Sequence, residues 1–138
     1  MECPFCNINK ERNRIITEKI YVYVILSNPR LIPGHLLVIP KRHVEKISEL
    51  NKEEKQELFD TVIEYQEKII LKIATGCDIT QKYRPFIKQS RLKVDHIHIH
   101  LLPRELNDEL YKRSQIYETD IFKDLTDIES DKIIKLLK

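Results

Sequence analysis

Asp95-His96-Ile97-His98-Ile99-His100-Leu101-Leu102-Pro103-Arg104 carries three of the chain's five histidines, two residues apart, with only aliphatic side chains between them. Such alternation is the pattern of a β-strand, because successive side chains of an extended chain project to opposite faces. His96, His98 and His100 then share one face at a spacing of roughly 6.6 Å, while Ile97, Ile99 and Leu101 share the other. The apolar face calls for a core. The histidine face calls for chemistry, since imidazole titrates near neutrality, ligates metals and acts as acid, base or nucleophile.

Outward from this stretch, the whole of Leu92–Leu102 reads as a strand, and Cys77–Gln81 as another, joined by a polar loop over residues 82–91. Upstream, Arg14–Thr17 and Tyr21–Ser27 are expected to pair. Ser27-Asn28-Pro29-Arg30 and Pro33-Gly34 interrupt the pattern, and His35–Pro40 forms a third strand. Asn51 followed by Glu54 has the form of a reciprocal helix cap. The stripe Leu58, Phe59, Val62, Ile63, Gln66, Ile69, Ile70 and Ile73 predicts one long helix ending before Gly76. Glu105–Gln115 and Asp127–Lys138 are expected to be helical. Connections of hairpin length cannot join parallel strands, so the order of elements predicts an α+β fold: an antiparallel sheet of about five strands, one long helix and a helical tail over roughly 105–138.

The chain has 138 residues, the length of one domain spanning 1–138. Its 24 basic and 22 acidic residues leave a net charge of only +2, which gives no bulk attraction to nucleic acid or a membrane surface. An anionic ligand must be held by local groups. No stretch approaches the ~18 apolar residues of a membrane helix, and no apolar run follows the first cysteines, so a cytoplasmic protein is expected. Three cysteines, an odd number, argue for thiols or thiolates over a disulfide framework.

Cys3-Pro4-Phe5-Cys6 has the spacing that lets two thiolates reach one tetrahedral metal. The pair supplies half a site, and the candidates for the rest are Cys77 and the histidines. His43, in Lys41-Arg42-His43-Val44, and His96, outermost of the three, are the natural ones. Four filled positions would make the site structural, with no place left for substrate. A redox dithiol is the competing reading of the cysteines, although the βαβ context it needs is missing. An exposed loop histidine is the competing reading of His43.

Taken in order, Cys3-x-x-Cys6, Pro33-Gly34-His35-Leu36-Leu37-Val38-Ile39-Pro40-Lys41-Arg42-His43 and His96-Ile97-His98-Ile99-His100-Leu101-Leu102 resemble the histidine triad (HIT) family of nucleotide hydrolases and transferases. The likeness runs from Cys3 to Arg104, about three quarters of the chain. It implies that His98 is the nucleophile attacking the α-phosphate of a nucleotide, and that His100 and His35 line the same phosphate site. It implies a structural zinc held by Cys3, Cys6, His43 and His96, and a homodimer. Ser27, Asn28, Gln89, Ser90 and Lys93 are the expected substrate contacts.

The implied activity is hydrolysis through a nucleotidyl-histidine intermediate, of the phosphoramidase or dinucleoside polyphosphate hydrolase type. A nucleotidyltransferase or phosphorylase using the same histidine is one alternative, and a non-catalytic zinc-stabilised nucleotide-binding module another. Two features depart from the family pattern. Ser27 stands where many members carry a ribose-binding Asp, and no glycine lies between Gly76 and the triad. Arg84, Lys88, Arg91 and Lys93 are therefore candidates to meet phosphates in place of backbone amides, or else simply to solvate the loop. Asp95 reads as a supporting residue, and Arg104 could face either phosphate or a partner subunit.

Overall fold

The computed structural model describes residues 3–8, 14–114 and 121–138. Its strands are β1 (Ile15–Glu18), β2 (Val22–Leu26), β3 (Leu36–Pro40), β4 (Gly76–Thr80) and β5 (Ile99–Arg104). The helices are α1 (Lys52–Lys72), α2 (Glu109–Ser114) and α3 (Asp127–Leu137), with one 3-10 turn at Ile47–Glu49. The strands form a five-stranded sheet in the order β1-β2-β3-β5-β4, every pair antiparallel. This is the predicted α+β architecture of antiparallel sheet, long helix and helical C-terminal segment. Among the described residues no helix is long and apolar enough to cross a membrane.

The inner strands β2, β3 and β5 separate two apolar layers. Val22, Val24, Leu36, Val38, Ile99 and Leu101 pack with Leu58, Val62, Tyr65 and Ile69 of α1 on one face. Ile25, Leu37 and Ile39 point the other way and pack with Phe5 of the cysteine knuckle. Strand alternation thus sends one set of side chains to the helix and the other to the histidine face. The sheet is covered on that face by the N-terminal segment.

Helix α1 starts where the sequence says it should. The Asn51 side chain accepts from the Glu54 amide at 2.8 Å, and the Glu54 carboxylate accepts from the Asn51 amide at 2.9 Å. Glu54 is buried, and it is also gripped by the Arg42 guanidinium at 2.8 and 3.0 Å. That contact holds the Glu54 carboxyl below the usual carboxylate range and ties the helix start to the segment carrying His43.

The predicted helical stripe is too wide. Leu58, Val62 and Ile69 are buried, joined by Thr61 and Tyr65, whereas Phe59, Ile63, Ile70 and Ile73 remain exposed. One sheet face can cover only about a third of a helix circumference, so the outer half of a broad apolar stripe stays uncovered.

Three starting boundaries also differ. Regular pairing in the histidine segment begins at Ile99, not at Leu92. Ser90 and Lys93 close a tight turn on each other, and the Ile97 amide donates to the Val44 carbonyl at 2.9 Å instead of to a strand. The first tail helix begins at Glu109 because Asp108 accepts from the Leu110 and Tyr111 amides at 3.0 Å and caps it. Gln115, its expected last residue, lies outside the described residues. The expected start of β1 at Arg14 likewise moves to Ile15, since Arg14 has a φ of 48°.

Candidate active site and metal cluster

Strand register builds the side of the site that holds His35 and His100. Leu37 is paired with His100 and Leu36 with Leu101, so His35, two residues before Leu37 on the same face, sits diagonal to His100. The turn before β3 requires Gly34: its φ is +84°, and a Cβ there would lie 3.0 Å from Pro103 Cγ. His35 is buried and His100 partly so. The His35 Nε2 to His100 Nδ1 distance is 2.8 Å.

Hydrogen-bond partners assign the tautomers. The Leu31 amide donates to His35 Nδ1 at 3.1 Å, which leaves the His35 proton on Nε2, where it is donated to His100 Nδ1. His100 then carries its own proton on Nε2. His98 donates from Nδ1 to the His96 carbonyl at 2.8 Å, which leaves its Nε2 with a bare lone pair. The His98 and His100 rings lie 4.8 Å apart, so a lone pair and an N–H donor stand side by side.

All three rings are held neutral. Burial, then the neighbouring His98 and the positive charge of Lys82, push His35 down to about 4. Burial, then His98, His35 and Lys82, push His100 down to about 3. Burial lowers His98 as well, against the opposing effect of its bond to the His96 carbonyl. A neutral ring is the form that a nucleophilic imidazole needs.

At the other end of the run, Cys3, Cys6, His43 and His96 bring one ligand atom each within 4.8 Å of one another. Cys3 Sγ is 3.3 Å from His96 Nδ1, Cys6 Sγ 3.2 Å from His43 Nδ1, and the two Nδ1 atoms are 3.2 Å apart. A tetrahedral ion with bonds of about 2.3 Å to sulfur and about 2.0 Å to nitrogen separates its ligand atoms by roughly 3.3–3.8 Å. The four donors fit that shape.

The buried His96 ring donates Nε2–H to the Pro40 carbonyl at 2.7 Å, so its Nδ1 is unprotonated and directed at the cysteines. The bond from the Ile97 amide to Val44 brings the His43 and His96 segments together. Cys3 and Cys6 are held in a turn closed by the Cys6 amide and the Cys3 carbonyl at 3.2 Å. The three cysteines are free thiols, and Cys77 stands apart, packed at the α1 side of the sheet.

Ser27 sits beside His35, its amide donating to the His35 carbonyl at 2.8 Å, while its hydroxyl donates to the Pro29 carbonyl at 2.8 Å. Asn28 is exposed in the turn after β2. Gln89 accepts from the Asp95 amide at 3.1 Å, Ser90 Oγ accepts from the Leu92 amide at 3.2 Å, and Lys93 is ion-paired with Asp95. These three residues thus spend polar atoms within their own loop. Arg104 is taken up structurally: it pairs with Asp78 and Asp108 at 2.7 Å each and stacks over Tyr111.

Phe5 carries a role that its position between two cysteines did not announce. Its ring meets His96 edge-on at 5.9 Å and His98 at 5.1 Å, so one knuckle side chain touches both the Cys/His cluster and the middle ring of the triad. Lys82 is the other residue that sequence reasoning passed over. Its signal was parity with Thr80, which is paired with His100.

The chain resembles known proteins in sequence and in shape. It is 29% identical over 117 residues to a bifunctional bis(5'-adenosyl)-triphosphatase/adenylylsulfatase of Arabidopsis thaliana, with 80% of this chain and 63% of the plant enzyme aligned. It therefore spans less than two thirds of that relative's length. The fold superposes on a HIT family protein from Bacillus subtilis with a TM-score of 0.75 at 24% identity, covering 99% of this chain and 95% of that one. A zinc-bound histidine triad family protein from Mycobacterium smegmatis matches with a TM-score of 0.64 at 28% identity over 80% of each chain. The HIT domain family matches residues 9–107, from just after the cysteine knuckle to just beyond β5. With its triad, fold and sequence in agreement over most of its length, the chain belongs to the HIT domain family.

Proposed function

We propose that the protein is a nucleotide hydrolase acting at an α-phosphate, with His98 as nucleophile. The observation that supports this best is the division of protons among the three rings: His98 Nε2 is a bare lone pair, and the adjacent His100 Nε2 is an N–H donor. His98 Nε2 attacks the α-phosphorus, a P–N bond forms, and the bond to the leaving group breaks with its electron pair departing on that group. The His100 N–H, backed by His35, donates to a non-bridging phosphate oxygen as charge develops there. Water then attacks the phosphorus, the P–N bond breaks, and nucleoside monophosphate leaves with His98 regenerated. The relation to a bis(5'-adenosyl)-triphosphatase favours a dinucleoside polyphosphate or phosphoramidate as substrate.

Cys3, Cys6, His43 and His96 would hold one structural zinc, which pins the N-terminal knuckle and the start of the histidine run. Ser27, Asn28, Gln89, Ser90 and Lys93 are the proposed surroundings of the nucleoside and phosphates. We take residues 1–138 as one domain. The exposed row Phe59, Ile63, Ile70 and Ile73 on α1, next to the edge strand β4 with its exposed Ile79, favours a homodimer across that side. Free thiols are in keeping with a cytoplasmic protein.

The test is turnover of adenosine 5'-phosphoramidate and diadenosine triphosphate by the purified protein and by His98→Ala. Activity is expected in the first and not in the second. Turnover that survives the substitution would remove His98 as nucleophile.

A further inference from the structure

Residues 82–95 contain five basic side chains, Lys82, Arg84, Lys88, Arg91 and Lys93, and one acidic one, Asp95, in a chain whose net charge is only +2. Lys93 is neutralised by Asp95. The other four have no ion pair among the described residues, whose basic partners are Lys19, Arg30, Lys41, Arg42, Lys68 and Arg104 besides Lys93. Positive charge is therefore concentrated on the loop that runs from β4 to the triad.

Position singles out one of the four. The last pair of the β4–β5 ladder is Thr80 with His100. Lys82 follows Thr80 by two residues, just beyond the end of β4, where the chain leaves the ladder beside the histidine run. From there its positive charge reaches His35, His98 and His100, as the last of the causes that lower each ring. Lys82 also lines, with Arg84, Lys93, Asp95, Glu45 and His96, a cavity of about 110 Å³ next to the run. The chain's two glycines, Gly34 and Gly76, lie outside this loop, so a glycine-rich backbone cradle is not available to hold phosphate there.

We propose that Lys82 is a phosphate-binding and specificity-determining residue, which favours substrates whose leaving group is itself a phosphate chain over those that release an amine. The inference rests on the reading of the site as an α-phosphate hydrolase. When the bond to a phosphate leaving group breaks, its electron pair stays on a phosphate oxygen, and a cation beside His98 offsets the added charge. An amine leaving group takes a proton with its electron pair and gains no such charge. An ammonium group discriminates between the two as a point charge, without the fixed fork geometry of arginine.

The experiment uses inorganic tripolyphosphate as a probe, titrated calorimetrically at one low ionic strength. Lys82→Ala is expected to weaken its binding at least about tenfold, as loss of one charged contact would, and Lys82→Arg to restore it to within about threefold. Lys52→Ala, which removes the same charge from the exposed start of α1, should leave binding unchanged. In parallel, the ratio of kcat/KM for diadenosine triphosphate to that for adenosine 5'-phosphoramidate should fall about tenfold in Lys82→Ala. No binding by the wild type, equal binding by Lys82→Ala, equal weakening by Lys52→Ala, or an unchanged ratio in an active enzyme would each overturn the proposal. Binding that needs Lys82 in a protein that turns over neither nucleotide would uphold the phosphate subsite and overturn the hydrolase reading instead. Lys82 is exposed and has no ion pair among the described residues, so the variant is expected to melt with the wild type.

Discussion

His96 and His98 are two residues apart and chemically identical, yet they turn opposite ring nitrogens to their tasks. His96 donates Nε2–H to the Pro40 carbonyl and offers Nδ1 to the cysteines. His98 donates Nδ1–H to the His96 carbonyl and leaves Nε2 free. The backbone acceptor that each ring finds decides which nitrogen is left over, and so separates the proposed ligand from the proposed nucleophile. The largest expected effect separates the two. His98→Ala should lower turnover at least about a thousandfold while metal content and melting temperature stay near those of the wild type. A loss of metal in that variant would mean that the two ends are one unit.

The reciprocal substitution acts on the other end. Cys6→Ser should lower the zinc content from about one ion per chain, measured on the purified protein by atomic emission. It should also lower the melting temperature, because the knuckle, His43 and His96 would then be joined by packing alone. Treatment of the wild type with a chelator should reproduce that shift. A wild type free of metal and unaffected by chelator would leave the four donors without a shared ion.

Acid should distinguish the ends in a third way. His35 falls from an ordinary value of 6.5 to about 4 in the folded protein, so between these values the unfolded chain takes up a proton that the folded one refuses. The stability it contributes is fully present above pH 6.5 and is lost as the pH falls towards 4. At about 1.4 kcal/mol per unit, the loss from His35 is up to about 3 kcal/mol. Urea unfolding at a series of pH values, run on Cys6→Ser so that metal release does not contribute, measures it. A flat profile between pH 7 and 5 would show that the relay of neutral rings is wrong.

Much of this contrast was legible in the sequence, and the part that was not has a physical reason. Period-two alternation placed Ile97, Ile99 and Leu101 in the core, and Asn51 with Glu54 marked the start of α1, because both patterns act between near neighbours in the chain. The meeting of His43 with the cysteines depends on the Ile97 to Val44 bond and the Arg42 to Glu54 pair, which join segments 53 and 12 residues apart. No local pattern encodes them. The stripe on α1 overran for a related reason: sequence shows which side chains are apolar, whereas the width of the sheet decides how many are covered. Lys82 was hidden by the same limit, being one of five basic residues on a loop until the Thr80 to His100 register singled it out.

Phe5 is where the two ends touch, and its substitution should have the smallest effect of the series. Its ring is buried, edge-on to both His96 and His98. An aromatic contact of this kind is worth about 0.5–1.5 kcal/mol beyond the area it buries. Phe5→Leu keeps most of the apolar volume over Ile25, Leu37 and Ile39 but removes the edge that limits rotation of the His98 ring. The cysteines on either side are unaltered, so metal content should hold at the wild-type value. Turnover should fall only a few-fold, in kcat more than in KM, because a less well-aimed Nε2 slows attack without altering what grips the substrate. If kcat is unchanged while stability drops, Phe5 merely fills space under the knuckle. If metal is lost as well, the ring is part of what holds the cluster, and the separation between the ligand end and the reactive end of the histidine run narrows to the two backbone carbonyls of Pro40 and His96.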